Sequence, residues 1–292
     1  MALSIDILDL GDVGLDSSFL VQFRSPGTKT WVRTVGYLIK GHPEGLILVD
    51  TGFRSTEIMR RIGMVGRYNE GRSMETELEK RGLKFSDVRY VMHTHLHMDH
   101  AGKTDLFPLD TTTVILNRRE LEIAAGSGLV GYPPEDTKHL IDRLYQPGAA
   151  MLLDLKESGP VEVLEGIVCE LAGGHTEGSM NIAVQTAEGS AYICGDVFYD
   201  VQDQFLDPAY HLLAKEPKLS GHFYVSWLQE KGAMKKALYA GDWLLPMHDA
   251  PVKVEKGGRI VGRVWGNQVP GEVTPIEGKG TPTDLEVGTV FR

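Results

Sequence analysis

The stretch VMHTHLHMDHAG, residues 91–102, carries four histidines and one aspartate within eight residues. It continues the apolar run Tyr90–Met92, which predicts a buried strand that ends where the polar residues begin. His95 and His97 are two residues apart, so in extended backbone their rings point the same way and can reach one ion. Imidazole is the commonest protein ligand of zinc, and carboxylate oxygen also serves. The stretch therefore predicts a metal site at a strand end.

Asp99 and His100 follow at a point where the chain must turn, and a turn can aim them at a second metal position. Two-metal sites hold their ions ~3.5–4 Å apart, a separation that this spacing can supply. A solvated, histidine-rich loop is the alternative interpretation, but it explains poorly why so many ligand-type residues follow a buried strand. His93 fits the pattern least well, and we expect it on the opposite face or behind the ligands.

The spacing His-x-His-x-Asp-His over residues 95–100 resembles the signature of the metallo-β-lactamase superfamily. The resemblance implies three further ligands in a fixed order. GGHTEGS at 173–179, CGD at 194–196 and LPMHD at 245–249 look like the segments that supply them. The ligands implied by these segments are His175, Asp196 and His248.

Each of these three ligands also has an ordinary explanation as a turn or loop residue when it is taken singly. Their order relative to the first motif favours the ligand interpretation. The segment LVDTG at 48–52 also matches a family strand and turn, in which Asp50 would lie behind the ligands rather than bind metal.

The resemblance implies how the ligands are shared between two divalent ions, for which zinc is the expected metal. One ion would be bound by His95, His97 and His175. The other would be bound by Asp99, His100 and His248. Asp196 would bridge the two ions.

The resemblance also implies an α/β fold, a four-layer αβ/βα sandwich. We expect one domain over residues 1–292, with similar halves near 1–160 and 161–292 and a C-terminal extension after residue 249. Short apolar runs that alternate with helical patterns independently favour a layered α/β architecture.

Individual elements can be predicted from the same patterns. The predicted strands are Leu46–Val49, Tyr90–Met92, Val114–Leu116, Ile182–Val184, Tyr192–Cys194 and Leu244–Met247. The predicted helices are Met74–Arg81, Glu120–Ala125, Pro134–Leu144 and Phe223–Tyr239. Glycines punctuate Gly257–Val269, which predicts a hairpin.

Within the superfamily, the chain looks most like the N-acyl-homoserine lactonases, because residues 94–102 are close to that branch's version of the motif. This likeness implies a hydrolase in which a metal-bridging hydroxide opens a lactone, with N-acyl-homoserine lactones as the first candidates. Asp99 and Tyr199 are the candidate catalytic residues. Tyr199 lies three residues after Asp196, where a lactonase tyrosine bonds the substrate carbonyl or the tetrahedral intermediate. A packed, half-buried aromatic is the alternative for Tyr199.

Other functions remain open. A glyoxalase-II-like thioesterase, or another ester hydrolase, would share the ligand set, although the basic side chains that bind glyoxalase substrates are not recognisable here. A mononuclear iron persulfide dioxygenase needs two histidines and one aspartate, so it leaves Asp99, His100 and His248 unexplained. A metal-bound regulatory protein with little turnover is a further alternative. The bridging Asp196 argues against β-lactam hydrolysis.

The composition limits the partners. A net charge of −10 disfavours binding to nucleic acid. No apolar run approaches the ~18 residues of a membrane span, and the N-terminus lacks a basic leader, so we expect a cytoplasmic protein that does not bind membranes. Cys169 and Cys194 lie in apolar runs and are expected to be buried free thiols. The expected partners are a small-molecule lactone or ester and, through the long tail, a second copy in a homodimer.

Aromatic residues are frequent between Val197 and Tyr239, the region between the bridging aspartate and the last histidine. They could line an apolar substrate cleft, or they could form helix core. The residues concerned are Phe198, Phe205, Tyr210, Phe223, Tyr224 and Trp227.

Overall fold

A computed structural model describes the chain over residues 2–68, 71–126, 131–206, 217–221, 225–264 and 266–275. Its strands fall into two sheets of eight strands each within these residues. The first sheet contains β1 (Ser4–Asp16), β2 (Lys29–Lys40), β3 (Leu46–Val49), β4 (Val65–Arg67), β5 (Val88–Met92), β6 (Thr113–Asn117), β7 (Ala150–Leu153) and β15 (Gln268–Val269). The second contains β8 (Val161–Leu164), β9 (Ile167–Leu171), β10 (Met180–Thr186), β11 (Gly189–Gly195), β12 (Trp243–Pro246), β13 (Val252–Glu255), β14 (Arg259–Val264) and β16 (Val273–Pro275).

Helices lie between the strands. They are α1 (Ser17–Leu20), α2 (Thr56–Arg61), α3 (Met74–Glu79), α4 (Met98–Ala101), α5 (Arg118–Gly126), α6 (Pro134–Leu144), α7 (Leu155–Ser158) and α8 (Trp227–Ala240). Single turns of 3₁₀ helix occur at Phe85–Asp87 and Thr104–Leu106, and a π-helical turn occurs at Gln202–Leu206. None of the helices in the described ranges is both long and apolar enough to cross a bilayer.

Strand order brings several parallel strand ends to one edge of each sheet. The first sheet has the order β15-β1-β2-β3-β5-β6-β7, with β4 paired to β1, and β3, β5, β6 and β7 run parallel. The second has the order β16-β14-β13-β12-β11-β10-β9-β8, and within it β11 and β12 run parallel. Loops that follow parallel strands therefore leave each sheet on the same side.

Alternation along the strands shows why four layers form. Ile193 of β11 belongs to the core between the sheets, whereas Cys194 faces outwards, towards α8. On the first sheet, Tyr37 faces the second sheet and Leu38 packs under the outer helices. Because each sheet is apolar on both faces, each must be covered by the other sheet on one side and by helices on the other. The αβ/βα sandwich predicted from the sequence is confirmed.

The predicted elements are mostly confirmed, with small shifts at their ends. The helix Pro134–Leu144 has the predicted bounds, and both cysteines are buried free thiols. The hairpin predicted over Gly257–Val269 is wrong in its bounds, because Gly257 and Gly258 form the turn and not its first strand. The hairpin is β13–β14, and β15 pairs instead with β1.

The second part of the chain does not stay within one sheet. Strands before residue 160 build the first sheet and strands after it build the second, except that β15 crosses back to the edge of the first. Part of the extension after residue 249 thus supplies strands to both sheets, β15 to the first and β13, β14 and β16 to the second. The organisation as one domain over residues 1–292 stays a prediction, and residues 276–292 of the tail lie outside the described ranges.

Candidate metal centre

The predicted ligands lie where strand ends from the two sheets meet. β5 ends at Met92 and leads into the histidine motif, whose last part forms the short helix α4. Asp196 follows β11 and His248 comes shortly after β12, and these strands are parallel neighbours. Gly195 has φ of +53°, and a Cβ on it would lie 2.8 Å from the Thr94 side chain. Glycine at this position lets the loops of the two sheets come together.

Three histidine nitrogens converge on one side of the centre. Nδ1 of His97 lies 3.1 Å from Nε2 of His95 and 2.9 Å from Nε2 of His175. Nitrogen ligands about 2.0–2.1 Å from a tetrahedral zinc lie roughly 3.4 Å from one another. The three nitrogens are therefore spaced as ligands of a single ion require.

A second group forms beside the first from Asp99, His100 and His248, and Asp196 lies between the two groups. Nε2 of His248 is 3.5 Å from Oδ2 of Asp99. Oδ1 of Asp196 lies 3.2 Å and 3.3 Å from Nε2 of His100 and His248. Its other oxygen, Oδ2, faces His175 at 3.6 Å. Each carboxylate oxygen of Asp196 thus faces a different group of ligands, as a bridging position requires.

Buried polar atoms in the centre show that the donor set fits cations. Nε2 of His100 and Oδ1 of Asp196 approach each other without the alignment of a hydrogen bond, and within the described ranges neither has another hydrogen-bond partner. Buried polar atoms are nearly always satisfied. Two such atoms aimed at one space, among imidazoles and carboxylates, fit a divalent cation such as zinc, iron, manganese or cobalt.

The two sides of the centre differ in charge. Burial and the neighbouring histidines hold the pKa of His95 and His97 well below the ordinary value, so both rings are neutral, the form that binds metal. Burial alone would lower the pKa of His100, but nearby carboxylates, chiefly that of Asp196, raise it well above the ordinary value. Burial would raise the pKa of Asp196, but His248 and His100 hold it well below the ordinary carboxyl value.

Asp50 lies directly behind the carboxylate-rich side. Its Oδ2 accepts a hydrogen bond of 2.8 Å from Nδ1 of His100, which leaves Nε2 facing the centre. The backbone N–H and hydroxyl of Thr94 donate to the same carboxylate at 2.9 and 2.6 Å. His93 contacts the far side of Asp50 and lies 2.9 Å from the Thr104 hydroxyl, so it lies behind the ligands and not among them. A carboxylate behind a ligand histidine fixes the ring and its tautomer.

Glu120, which the sequence pattern indicated only as the start of a helix, has the corresponding place behind the three-histidine side. Its buried carboxylate accepts hydrogen bonds from Leu96 N at 3.0 Å, the Tyr132 hydroxyl at 2.9 Å and the Thr176 hydroxyl at 2.7 Å. Leu96 lies between His95 and His97, Thr176 follows His175, and the Tyr132 ring packs on His97 with centroids 4.8 Å apart. Burial raises the pKa of Glu120, and the hydrogen-bond donors oppose this effect.

A signal for Glu120 was present in the sequence. Glu120, Leu121 and Ala124 are the buried residues of α5, and they occupy one helical face. A glutamate on an apolar helix face, just after a strand, indicates a buried and hydrogen-bonded carboxylate.

Tyr199, a candidate catalytic residue from the sequence, lies beside the centre. Its hydroxyl is 3.2 Å from Nδ1 of His175, and its ring stacks on His248 with centroids 5.4 Å apart. Because Nε2 of His175 faces the ligands, Nδ1 carries the proton and donates to the tyrosine oxygen. Burial, Asp196 and Asp99 raise the pKa of Tyr199 well above the ordinary value, so its hydroxyl keeps its proton as a hydrogen-bond donor.

A pocket leads from the centre towards α1 and β1. Its polar end contains His97, Asp99, His175, Asp196, Tyr199 and His248. Its apolar wall is formed by Val13, Leu15, Phe19, Leu20, Val32, Met64 and Met98. These wall residues come mainly from the first thirty-two residues of the chain, a region in which no sequence motif indicates a substrate contact.

The aromatic cleft suggested between Val197 and Tyr239 is therefore wrong for the residues that can be assessed. Phe198 and Phe205 are buried in the core between β11 and α8. Trp227 is 57% exposed and does not line the pocket. Tyr210, Phe223 and Tyr224 lie outside the described residues. Of the aromatic residues that follow Asp196, Tyr199 borders the pocket, whereas Phe198 and Phe205 pack in the core.

Comparison with known proteins identifies the family and the fold. The family model of the metallo-beta-lactamase superfamily matches residues 30–254. A curated N-acyl homoserine lactonase from Bacillus cereus is 28% identical over 184 residues, which cover 59% of this chain and 66% of that protein. The chain thus spans less than two thirds of the length of this relative.

Solved structures show the same fold at low identity. A probable metal-dependent hydrolase from Staphylococcus aureus superposes with a TM-score of 0.69 at 17% identity, covering 95% of this chain and 98% of that one. AidC, described as a dizinc quorum-quenching lactonase and solved with the product N-hexanoyl-L-homoserine, superposes with a TM-score of 0.61 at 17% identity, covering 95% of both chains.

Proposed function

The chain belongs to the metallo-beta-lactamase superfamily, and on that premise we propose that it is a dinuclear, zinc-dependent hydrolase that opens lactones. The observation that carries the proposal is Asp196, whose two oxygens face two separate groups of ligand atoms. The first group is His95, His97 and His175. The second is Asp99, His100 and His248.

The chemistry divides between the cations and the protein. Two divalent cations, when bound, would supply Lewis acidity towards a carbonyl oxygen and make water nucleophilic at neutral pH. Hydrolysis adds water to the lactone carbonyl carbon and breaks its bond to the ring oxygen, which must leave with a proton. Asp99 borders the pocket, so its carboxylate can take a proton from the attacking water and pass it to the ring oxygen.

Tyr199 supports the same reaction from the opposite side. Its hydroxyl lies 3.2 Å from Nδ1 of His175, borders the pocket and keeps its proton, so it can donate to a substrate oxygen bound beside the centre. The carbonyl oxygen gains negative charge as water adds, and a phenol donor aimed at it stabilises that charge. On this proposal Asp99 acts in the proton transfer and Tyr199 stabilises the developing oxyanion.

The pocket wall favours a lactone with an apolar substituent over the glyoxalase-type thioester. Its described lining residues include seven apolar side chains and no lysine or arginine. An alkyl or acyl chain would bury apolar surface there, at about 25 cal/mol per Å². A substrate recognised through basic side chains finds no counterpart among these lining residues. N-acyl-homoserine lactones combine a lactone ring with an apolar acyl chain, so they are the first candidates.

The test is a turnover screen of zinc-loaded protein on acyl-homoserine lactones of increasing chain length, simple lactones, a glutathione thioester and a phosphodiester. We expect the highest kcat/KM on a lactone with an acyl chain, and no turnover by the chelator-treated protein. Preference for the thioester would replace the proposal with the glyoxalase-like alternative. Absence of turnover on every substrate at full metal loading would favour the regulatory alternative.

Two further expectations also belong to the proposal. Location in the cytoplasm fits a small-molecule hydrolase. Association into a homodimer through the tail stays a prediction that sedimentation or light scattering can check.

A further inference from the structure

Two buried aspartates lie next to the centre without being part of it. Asp249 follows His248 and is 2% exposed, and Asp200 follows Tyr199 and is fully buried. A buried carboxylate is costly unless a cation and hydrogen bonds compensate it. Their partners therefore show what holds this side of the centre in place.

Each aspartate forms an ion pair with an arginine from a distant part of the chain. Nη1 of Arg263, on β14, lies 2.8 Å from Oδ1 of Asp249. Nη1 of Arg24, just after α1, lies 2.5 Å from Oδ2 of Asp200. Arg263 is 7% exposed and comes after residue 254, where the match to the family model ends.

The hydrogen bonds of Asp249 connect Arg263 to the centre. Its Oδ2 accepts from Val201 N at 2.8 Å, two residues after Tyr199, and its Oδ1 accepts from Ala250 N at 2.7 Å. One carboxylate thus joins β14, the loop that carries His248 and the segment that carries Tyr199. Movement of Asp249 would shift His248 relative to Asp99 and Asp196.

We propose that Arg263 is a positioning residue for the cation bound by Asp99, His100 and His248, and that it acts through Asp249. The C-terminal strand β14 is on this account part of the metal centre's support and not an accessory to the sheet. The inference rests on the two-cation site of the proposed function, but it does not depend on which substrate is hydrolysed.

The experiment measures cation affinities without substrate. Chelator-stripped protein is titrated with Co²⁺, whose visible absorption reports each site, and with Zn²⁺ by calorimetry. Arg263→Gln should weaken binding of the cation held by Asp99, His100 and His248 by about 10–100-fold and leave the affinity for the other cation within about 2-fold, as expected when a supporting group of a ligand is lost. Arg259→Gln is the matched control, because Arg259 lies on the same strand but pairs at the surface with Glu255.

A merely structural role for Arg263 would lower the melting temperature without changing the ratio of the two cation affinities. An unchanged ratio in folded Arg263→Gln, or equal weakening of both cations, would overturn the proposal. If Arg263→Gln does not fold, Arg263→Lys is measured in the same way, because lysine keeps the charge but not the fixed guanidinium geometry. It should change the ratio in the same direction by a smaller factor, and an unchanged ratio would again overturn the proposal.

The separate failure of the proposed function would look different. Wild-type protein that binds two cations but hydrolyses no lactone would reject the substrate and leave the role of Arg263 to be decided by the affinity ratio. Wild-type protein that binds one cation would overturn both proposals.

Discussion

The two sides of the candidate metal centre differ in the charge of the groups that would bind a cation. On one side, three imidazoles present ring nitrogens to one space, and burial together with the neighbouring histidines lowers the pKa of His95 and His97 so that these two rings are neutral. On the other, His100 and His248 lie among the carboxylates of Asp99, Asp196 and Asp50. On the first side, cation binding depends mainly on how the ring nitrogens are positioned. On the second side, it also depends on the balance between the carboxylates and the charge of the cation and histidines. A metal centre can thus be assembled from halves whose electrostatics are unlike.

Their supports differ in the same way. Glu120 supports the three histidines indirectly. Its carboxylate accepts hydrogen bonds from Leu96 N and the Thr176 hydroxyl, which are neighbours of the ligands and not ligand nitrogens. Asp50 contacts a ligand nitrogen itself, at 2.8 Å from Nδ1 of His100. Asp50 also has φ of +57°, a conformation that is strained for a residue other than glycine. We therefore expect the carboxylate-rich side to be the more sensitive of the two to changes in its support.

The largest effect should come from the one residue that both sides share. Asp196→Asn removes the charge that faces both groups of ligands and replaces one of the two oxygens by an amide NH₂, which cannot bind a cation, so the bridge between the halves is lost. We expect kcat/KM to fall by more than about 10³-fold, roughly 4 kcal/mol of transition-state stabilisation. Lactone kinetics together with metal analysis check this. Full activity of Asp196→Asn with two ions still bound would show that the halves do not depend on a shared carboxylate.

The next effect separates the two sides. Asp50→Asn should weaken binding of the cation on the carboxylate-rich side by about 10–100-fold, because a neutral amide no longer compensates the charge of His100. Glu120→Gln should weaken the other cation by about 10-fold or less, since it acts through backbone and neighbouring side chains. Both are measured by titration of metal-free protein. The comparison between the sides would fail if the two variants weakened the same cation.

Tyr199→Phe tests whether the tyrosine acts on the substrate or only on the ligands. Phenylalanine keeps the ring that stacks on His248 but removes the hydroxyl near His175. We expect kcat to fall by about 10–100-fold with little change in KM, because an oxyanion donor acts mainly in the transition state. Metal content is measured in parallel. Unchanged kcat at full loading would mean that Tyr199 is a packed aromatic residue.

The smallest effect concerns the pocket wall and contrasts Phe19 with Phe205. Phe19→Ala should raise KM for long-chain lactones by about 10-fold and leave short-chain substrates nearly unchanged, since Phe19 lines the pocket and is 38% exposed. Phe205→Ala should lower the free energy of unfolding by about 3–5 kcal/mol, because Phe205 is core. Kinetics and denaturant titration distinguish these outcomes. A KM effect confined to Phe205→Ala would restore the aromatic cleft.

The fold and the grouping of the ligands could be predicted from the sequence because short local motifs resemble those of a known family, and the resemblance implies both. His95, His97, Asp99 and His100 lie within six residues, and each further ligand follows a recognisable strand or glycine-rich loop. Parallel strand ends then bring these segments to one place. The structure accordingly brings all seven predicted ligands together, and it places His93 and Asp50 behind them.

The supports and the pocket could not be predicted in the same way, because they depend on contacts between distant segments. Arg263 meets Asp249 only because β14 returns beside β13 and so lies next to the loop that carries His248. Val13 and Phe19 reach the centre because β1 and α1 pass beside helix α4. A single sequence gives no periodic signal for such pairings.

If the two unlike sides each bind a cation, active protein must hold two ions per chain. Metal-free protein is titrated with Zn²⁺ while lactone turnover and bound zinc are followed together. We expect two ions per chain with distinguishable affinities, and full activity only when both are bound. Full activity with one ion per chain would show that the two sides do not bind separate cations.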